Sequence, residues 1–290
     1  MAQITATMVK QLRDRTGQAM MDCKKALTET DGDIEKAIDL LRKKGMAVLD
    51  KRGERETKEG KVVGLLSQNG KVAVLASLCS ETDFTSKNEL FQKIAQTIAQ
   101  GLLGASATPD SAEELGKLKT SDGKKLSDVV NDIVGQTGEK ITIGPFTRFD
   151  LDGPGLLHCY VHFNGKIGTL VQIDTENEQA ASAKATKTFI SDLAMHITAT
   201  NPTAVRAEEI DPELVEREKE IARSQVVGKP ENMIEKIVNG KLDKWYKQVV
   251  LLQQPFVKDD SKTVSQLVDE ISKAVGGKLT IKRFYRLQIG

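Results

Sequence analysis

Aromatic residues are scarce in this sequence: one Trp, three Tyr and eight Phe make up 4% of its 290 residues. Cysteine is scarcer. Cys23, Cys79 and Cys159 are far apart and odd in number, which argues against a disulfide framework and fits reduced thiols. Neither sign of charge dominates, since 42 Lys+Arg face 41 Asp+Glu for a net +1. A protein that grips nucleic acid through bulk charge carries a strong basic excess, so no direct nucleic-acid contact is expected. No apolar run approaches the ~20 residues that cross a bilayer. The start, Met1-Ala2-Gln3-Ile4, lacks the basic stretch and long apolar run of a signal peptide. Charged residues at 29% suggest a helix-rich, soluble, cytoplasmic protein without a membrane partner. At this length roughly three quarters of the unfolded surface can be buried, so folding needs neither disulfide nor metal.

Recognisable catalytic motifs are also missing. No Gly-Lys pair is followed by Ser or Thr, which excludes a Walker A phosphate cradle. Gly153-Pro154-Gly155 lacks the third glycine and the helix of a dinucleotide fingerprint. There is no Gly-x-Ser-x-Gly elbow and no His-Glu-x-x-His. His158 and His162 would share one strand face at ~13 Å, too far apart to hold one metal, and read as surface histidines. The cysteines have no neighbouring base that would mark a nucleophile. No metal, cofactor or catalytic residue is expected.

What is present is organisation. Residues 1–50 read as three short helices. Thr5 caps the first, Gly17 stops it, and the third follows Gly32-Asp33 and stops at Gly45. Residues 51–60 are charged and read as a linker. Val62–Leu66 and Val72–Leu78 read as strands joined by Asn69-Gly70, a dipeptide suited to a tight turn with positive φ at both positions. Ser86-Lys87-Asn88-Glu89 reads as a capping box opening a helix with Leu90, Phe91, Ile94, Ala95, Ile98 and Leu102 on one stripe. The plan recurs 95 residues on, where Asn164-Gly165-Lys166 matches Asn69-Gly70-Lys71. Phe189, Ile190, Leu193 and Ala194 likewise match Ile94, Ala95, Ile98 and Ala99. The fold class is α+β, with two related subdomains at 61–145 and 146–290. Asp211-Pro212 starts a charged helix, and a turn at Gly228-Lys229-Pro230 leads into a second. Together they read as an antiparallel helical hairpin over 208–247 interrupting the second subdomain.

The repeat exposes one difference: Thr82-Asp83-Phe84 stands where the second copy has Asn177-Glu178-Gln179. Strand-to-helix turns lie at the surface. Phe84 beside a carboxylate is either a probe for a partner or a hydrophobic staple folded onto its own helix.

The segments Val9-Lys10-Gln11-Leu12-Arg13-Asp14-Arg15-Thr16-Gly17, Met20-Met21-Asp22-Cys23-Lys24-Lys25-Ala26-Leu27 and Gly32-Asp33-Ile34-Glu35-Lys36-Ala37 closely resemble the start of bacterial elongation factor Ts. So do Glu81-Thr82-Asp83-Phe84 with Lys87-Asn88, Ala194-Met195-His196, and Gln254-Pro255-Phe256-Val257. The order holds over nearly the whole chain. The resemblance implies a ubiquitin-associated-like N-terminal bundle, two related core subdomains, and a helical hairpin projecting from the second. It also implies a guanine-nucleotide exchange factor, with no catalytic site of its own. Such a factor binds elongation factor Tu, GDP-bound or nucleotide-free, and dislocates the Mg²⁺ that supports the nucleotide. Carried over, Asp83 and Phe84 are the working residues, and Thr82 and Thr85 shape the turn. The family usually has Val where Thr85 stands, which weakens the case for an apolar contact there. Leu12, Arg13, Met20 and Met21 are implied partner-binding residues on the N-terminal unit, and Met195 and His196 on the core. The family often carries a further C-terminal module. The chain ends at Ile289-Gly290, so contacts made by such a module are expected to be absent. A homodimer within a two-to-two complex is left open. Two other readings also stay open: a helical adaptor without exchange activity, and an enzyme with an unrecognised site.

Overall fold

The computed structural model describes residues 3–226 and 230–290, a mixed α+β chain. Helices α1 (Ala6–Thr16), α2 (Met20–Glu29) and α3 (Ile34–Lys51) form the N-terminal unit around Val9, Leu12, Cys23, Ala26, Leu27, Ala37 and Leu41. Thr5 accepts from the Met8 amide and Gly17 closes α1 in the left-handed region, as their residue types dictate. Gly45 departs from expectation: α3 runs through it to Lys51. Gly45 is a packing glycine, where an added Cβ would lie 3.0 Å from the Asn131 carbonyl oxygen. Its bareness lets α3 press against the core helix Leu126–Thr137.

The first core copy follows as β1 (Glu59–Leu66), β2 (Val72–Ser80), α4 (Asp83–Ser86), α5 (Glu89–Gly104), α6 (Ala112–Lys117), α7 (Leu126–Thr137) and β3 (Ile141–Asp150). Its antiparallel sheet has the order β1-β2-β3, and β3 continues past residue 145 to Asp150. The second copy comprises β4 (Gly155–Val161), β5 (Ile167–Thr175), α8 (Glu178–Ser182) and α9 (Lys184–Thr200). It continues with α10 (Pro212–Ser224), α11 (Glu231–Val249), β6 (Pro255–Phe256), β7 (Asp259–Thr263), α12 (Val264–Val275) and β8 (Leu279–Gln288). Its main sheet has the order β4-β5-β8.

The copies agree beyond the expected offset. Both hairpins turn in the same way: the Gly70 amide bonds to Ser67 O, and the Gly165 amide to His162 O. Only the glycines take positive φ, so the turns are longer than the expected two-residue type, and Asn69 and Asn164 instead accept from Lys71 N and Lys166 N. A second register, offset by 138 residues, relates α7 to α12, the helix-ending Gly138 to Gly276, and β3 to β8. The offset grows because the second copy holds an insertion containing the α10–α11 hairpin. Asp211 caps α10, and Ala222, Val238 and Leu242 form the apolar seam between the two helices. The residues expected to turn between them, Gly228 and Lys229, lie outside the described residues.

Each sheet has a helical layer on its outer face, and the inner faces meet. Val74, Leu78, Phe91, Ile98, Leu126 and Ile133 fill the first helix–sheet core. Val171, Ile173, Phe189, Leu193, Val264 and Ile281 fill the second. Val62, Ala73, Leu75, Leu157, Leu170 and Leu287 fill the seam between the sheets. The central strands β2 and β5 are covered on both faces, which explains their unbroken apolar runs.

Candidate partner-facing site

The Thr82–Thr85 turn lies where β2 passes into α5. Thr82 caps the single-turn helix α4, its hydroxyl accepting from the Thr85 amide at 3.4 Å. The same hydroxyl donates to Glu139 Oε1 at 2.7 Å, and the Thr82 amide donates to Glu139 Oε2 at 3.2 Å. Ser80 donates to Thr82 O and Ser86 to Asp83 O. Thr85 and Ser86 are buried. The expected capping box is divided between two helices: Ser86 ends α4, and Asn88 caps α5 by accepting from the Leu90 amide at 2.8 Å.

With these polar groups turned inward, Phe84 is 85% exposed, so it is not a staple on its own helix. Beside it, Asp83 receives Lys87 Nζ at 2.7 Å. The hydrogen bond from Lys87, aided by the ammonium charge, holds the Asp83 carboxyl below its ordinary range against the cost of desolvation. The arrangement presents an aromatic wedge and an ionised carboxylate on a fixed backbone, a geometry suited to entering another protein.

The root of the turn is ionic. Glu81, 10% exposed in its side chain, receives Arg52 Nη1 on both oxygens at 2.9 Å, Arg55 Nη1 at 2.8 Å and the Lys140 amide at 2.6 Å. Burial opposes its ionisation, but the Lys140 amide and the two guanidinium groups outweigh burial and hold the carboxyl at about 2.

The remaining expected site residues divide by exposure. Met20 and Met21 are 55% and 62% exposed, and Arg13 is exposed as well. Leu12 is fully buried in the three-helix core and has no surface to offer a partner, which corrects its assignment as a contact. Its spacing with Val9 sets it on the inner stripe of α1. Met195 is half-buried and His196 fully buried. The Val257 amide donates to His196 Nδ1 at 3.2 Å, which leaves Nε2 as the donor to Gln254 Oε1 at 2.8 Å. The ring stacks on Phe256 at 5.4 Å, and burial keeps it neutral by lowering its pKa. His196 therefore anchors the Gln254–Val257 segment and does not reach a partner directly. Two distant sequence motifs meet here, and Val257 emerges half exposed.

The family model that matches is Elongation factor TS, over residues 81–290, beginning at Glu81. An elongation factor Ts of Nitratidesulfovibrio vulgaris (strain DP4) is 40% identical over 289 residues, covering 99% of this chain and 96% of the relative. One from Lawsonia intracellularis is 39% identical over 291 residues, covering 99% of this chain and 99% of the relative. The chain belongs to the elongation factor Ts family. It is thereby a translation elongation factor by class.

Within this elongation factor Ts chain, sequence reasoning missed two groups at the site. Glu139 and Arg52 lie 57 and 29 residues from their partners, and no local pattern announces them. It also passed over Phe163, 92% exposed at the β4–β5 turn. The repeat carried a signal for it, since the first copy has Gln68 there. Among the described residues, no group of three or more His, Cys, Asp and Glu is placed to hold a metal, and no helix is long and apolar enough to cross a membrane.

Proposed function

We propose that this chain is a cytoplasmic guanine-nucleotide exchange factor for elongation factor Tu. The observation that carries the proposal is Phe84, held outward on a turn whose other anchors face inward. Exchange is a linkage effect: a protein that binds empty Tu better than Tu–GDP weakens GDP by the same factor. Each tenfold weakening needs about 1.4 kcal/mol of differential binding. In nucleotide-binding partners of this kind a Mg²⁺ ion bridges the phosphates to protein oxygens. An aromatic wedge that repacks the support of that ion loosens the nucleotide without any bond being made or broken by this chain. Asp83 and Phe84 act at that place, and Thr82 and Thr85 hold the backbone. Arg13, Met20 and Met21 supply anchoring that is uniform across nucleotide states, the role that flexible apolar Met surfaces suit.

The test is stopped-flow release of a fluorescent GDP from elongation factor Tu with Phe84→Ala. The expected result is release slowed about tenfold or more, with the unfolding temperature unchanged, because an 85% exposed ring contributes little to the fold. A wild-type rate overturns the assignment.

A further inference from the structure

The segment between α3 and β1 reads as a linker in sequence, but it is fastened at the foot of the partner-facing turn. Arg52, just past the end of α3, and Arg55, three residues on, both place guanidinium nitrogens on Glu81. Lys140 Nζ donates to the carbonyls of Gly53 and Arg55 at 2.6 and 2.9 Å, closing the same cluster from the β3 side. The backbone of Lys140 then returns to Glu81, while its neighbour Glu139 holds Thr82 by amide and hydroxyl. Two adjacent residues of one strand-to-helix connection are thus clamped to two adjacent residues after α7, and the arginines at the end of the N-terminal unit complete the clamp. α3 itself packs on α7 through the close approach at Gly45, and Gln18 and Gln136 bond across this boundary to Asp132 O and Thr16 O. The N-terminal helices and the turn therefore share one rigid mount.

We propose that Glu81 is a positioning residue for nucleotide exchange, and that Arg52 and Arg55 couple the N-terminal helical unit to the aim of Phe84 through it. This deepens the exchange reading and rests on it. A carboxylate that receives four hydrogen bonds from three donors, two guanidinium nitrogens and an amide, in a 10% exposed site keeps one geometry, unlike a surface ion pair, which is loose and weak. Differential binding of a wedge depends on its placement to within fractions of an ångström, so loosening the mount weakens the effect on GDP while leaving the exposed anchors of the N-terminal unit intact.

The experiment measures fluorescent GDP release from elongation factor Tu across a range of factor concentrations. It uses wild type, Glu81→Gln, the double variant Arg52→Gln/Arg55→Gln, and Phe84→Ala as the reference. The readout separates the limiting rate from the concentration giving half of it. Lost aim lowers the limiting rate and leaves the half-saturating concentration in place. A purely structural defect lowers the amount of folded factor, which raises the half-saturating concentration and leaves the limiting rate alone. The expected result is a limiting rate reduced about tenfold for Glu81→Gln and for the double arginine variant. Wild-type limiting rates in both, with Phe84→Ala slow, overturn the positioning proposal alone. A wild-type rate for Phe84→Ala overturns the exchange reading and this proposal with it. The double arginine variant keeps the test open if Glu81→Gln fails to fold, because both arginine side chains lie partly or largely in solvent.

Discussion

The two core copies share strand registers and hairpin turns, yet their strand-to-helix turns differ in most respects that bear on recognition. In the first, Thr82 caps α4 and Phe84 stands in solvent. In the second, Asn177 caps α8 in the same way, accepting from the Ala180 amide at 2.8 Å, and Gln179 stands where Phe84 does. Glu81 and Glu176 both receive the amide of a lysine opening the third strand, Lys140 or Lys278. Only Glu81 also collects two arginines. Glu139, which pins Thr82, corresponds to Gly277, where an added Cβ would lie 2.8 Å from Asn177 Nδ2. One scaffold thus yields a braced turn bearing an aromatic and a plain turn bearing amides. Shared backbone geometry comes with the repeat; recognition comes from a few long-range polar braces added to one copy.

The comparison breaks most sharply if the first turn is given the chemistry of the second. Asp83→Glu/Phe84→Gln keeps the Thr82 cap and is expected to reduce acceleration of GDP release about a hundredfold, with the unfolding midpoint unchanged. Stopped-flow release and a thermal melt check both halves, and retained acceleration would show that the braced turn is not the tool.

Next in size is Glu139→Ala, which makes the first brace as empty as Gly277. Release is expected to slow about tenfold, because Thr82 loses two hydrogen bonds that fix the turn. The same kinetic assay decides it.

A third prediction uses another broken correspondence. His196 occupies the position of Gly101, where an added Cβ would meet Leu126 Cδ1 at 2.7 Å. In the second copy the imidazole instead reaches Gln254, which is itself bonded to Thr200 and the Gln248 carbonyl. Gln254→Ala strips a buried network and is expected to destabilise the fold by about 1–3 kcal/mol in urea unfolding. A change near zero would mean the insertion does not depend on that network.

The smallest effects are in pH. His196 is a base kept neutral, so its folded pKa lies below the ordinary 6.5, and the unfolded chain takes up its proton first. Stability therefore falls as pH drops below about 6.5. Glu81 is an acid whose folded pKa of about 2 lies under the ordinary 4.5, so its contribution is complete above 4.5 and is lost as pH falls from there toward 2. Urea titrations at stepped pH should show both declines in the wild type, and Glu81→Gln should shrink the lower one, to which Asp83 also contributes.

The sequence by itself determined the elements and their repetition. Helix caps such as Thr5 and Asp211, the apolar stripes of α5 and α9, and the paired Asn-Gly turns are decided by neighbours a few residues away. A local pattern can therefore reveal them, and the odd Phe84 could be found simply by laying one copy on the other. Where local signals pointed two ways, tertiary contact chose: Gly45 became a close approach inside a helix, and Leu12 a core residue rather than a contact. Only the folded chain could place Glu139 on Thr82, Arg52 on Glu81 and Gln254 on His196, because those bonds join residues dozens of positions apart. Their energies arise where distant segments exclude water together, and no short stretch of sequence contains both halves of such a contact.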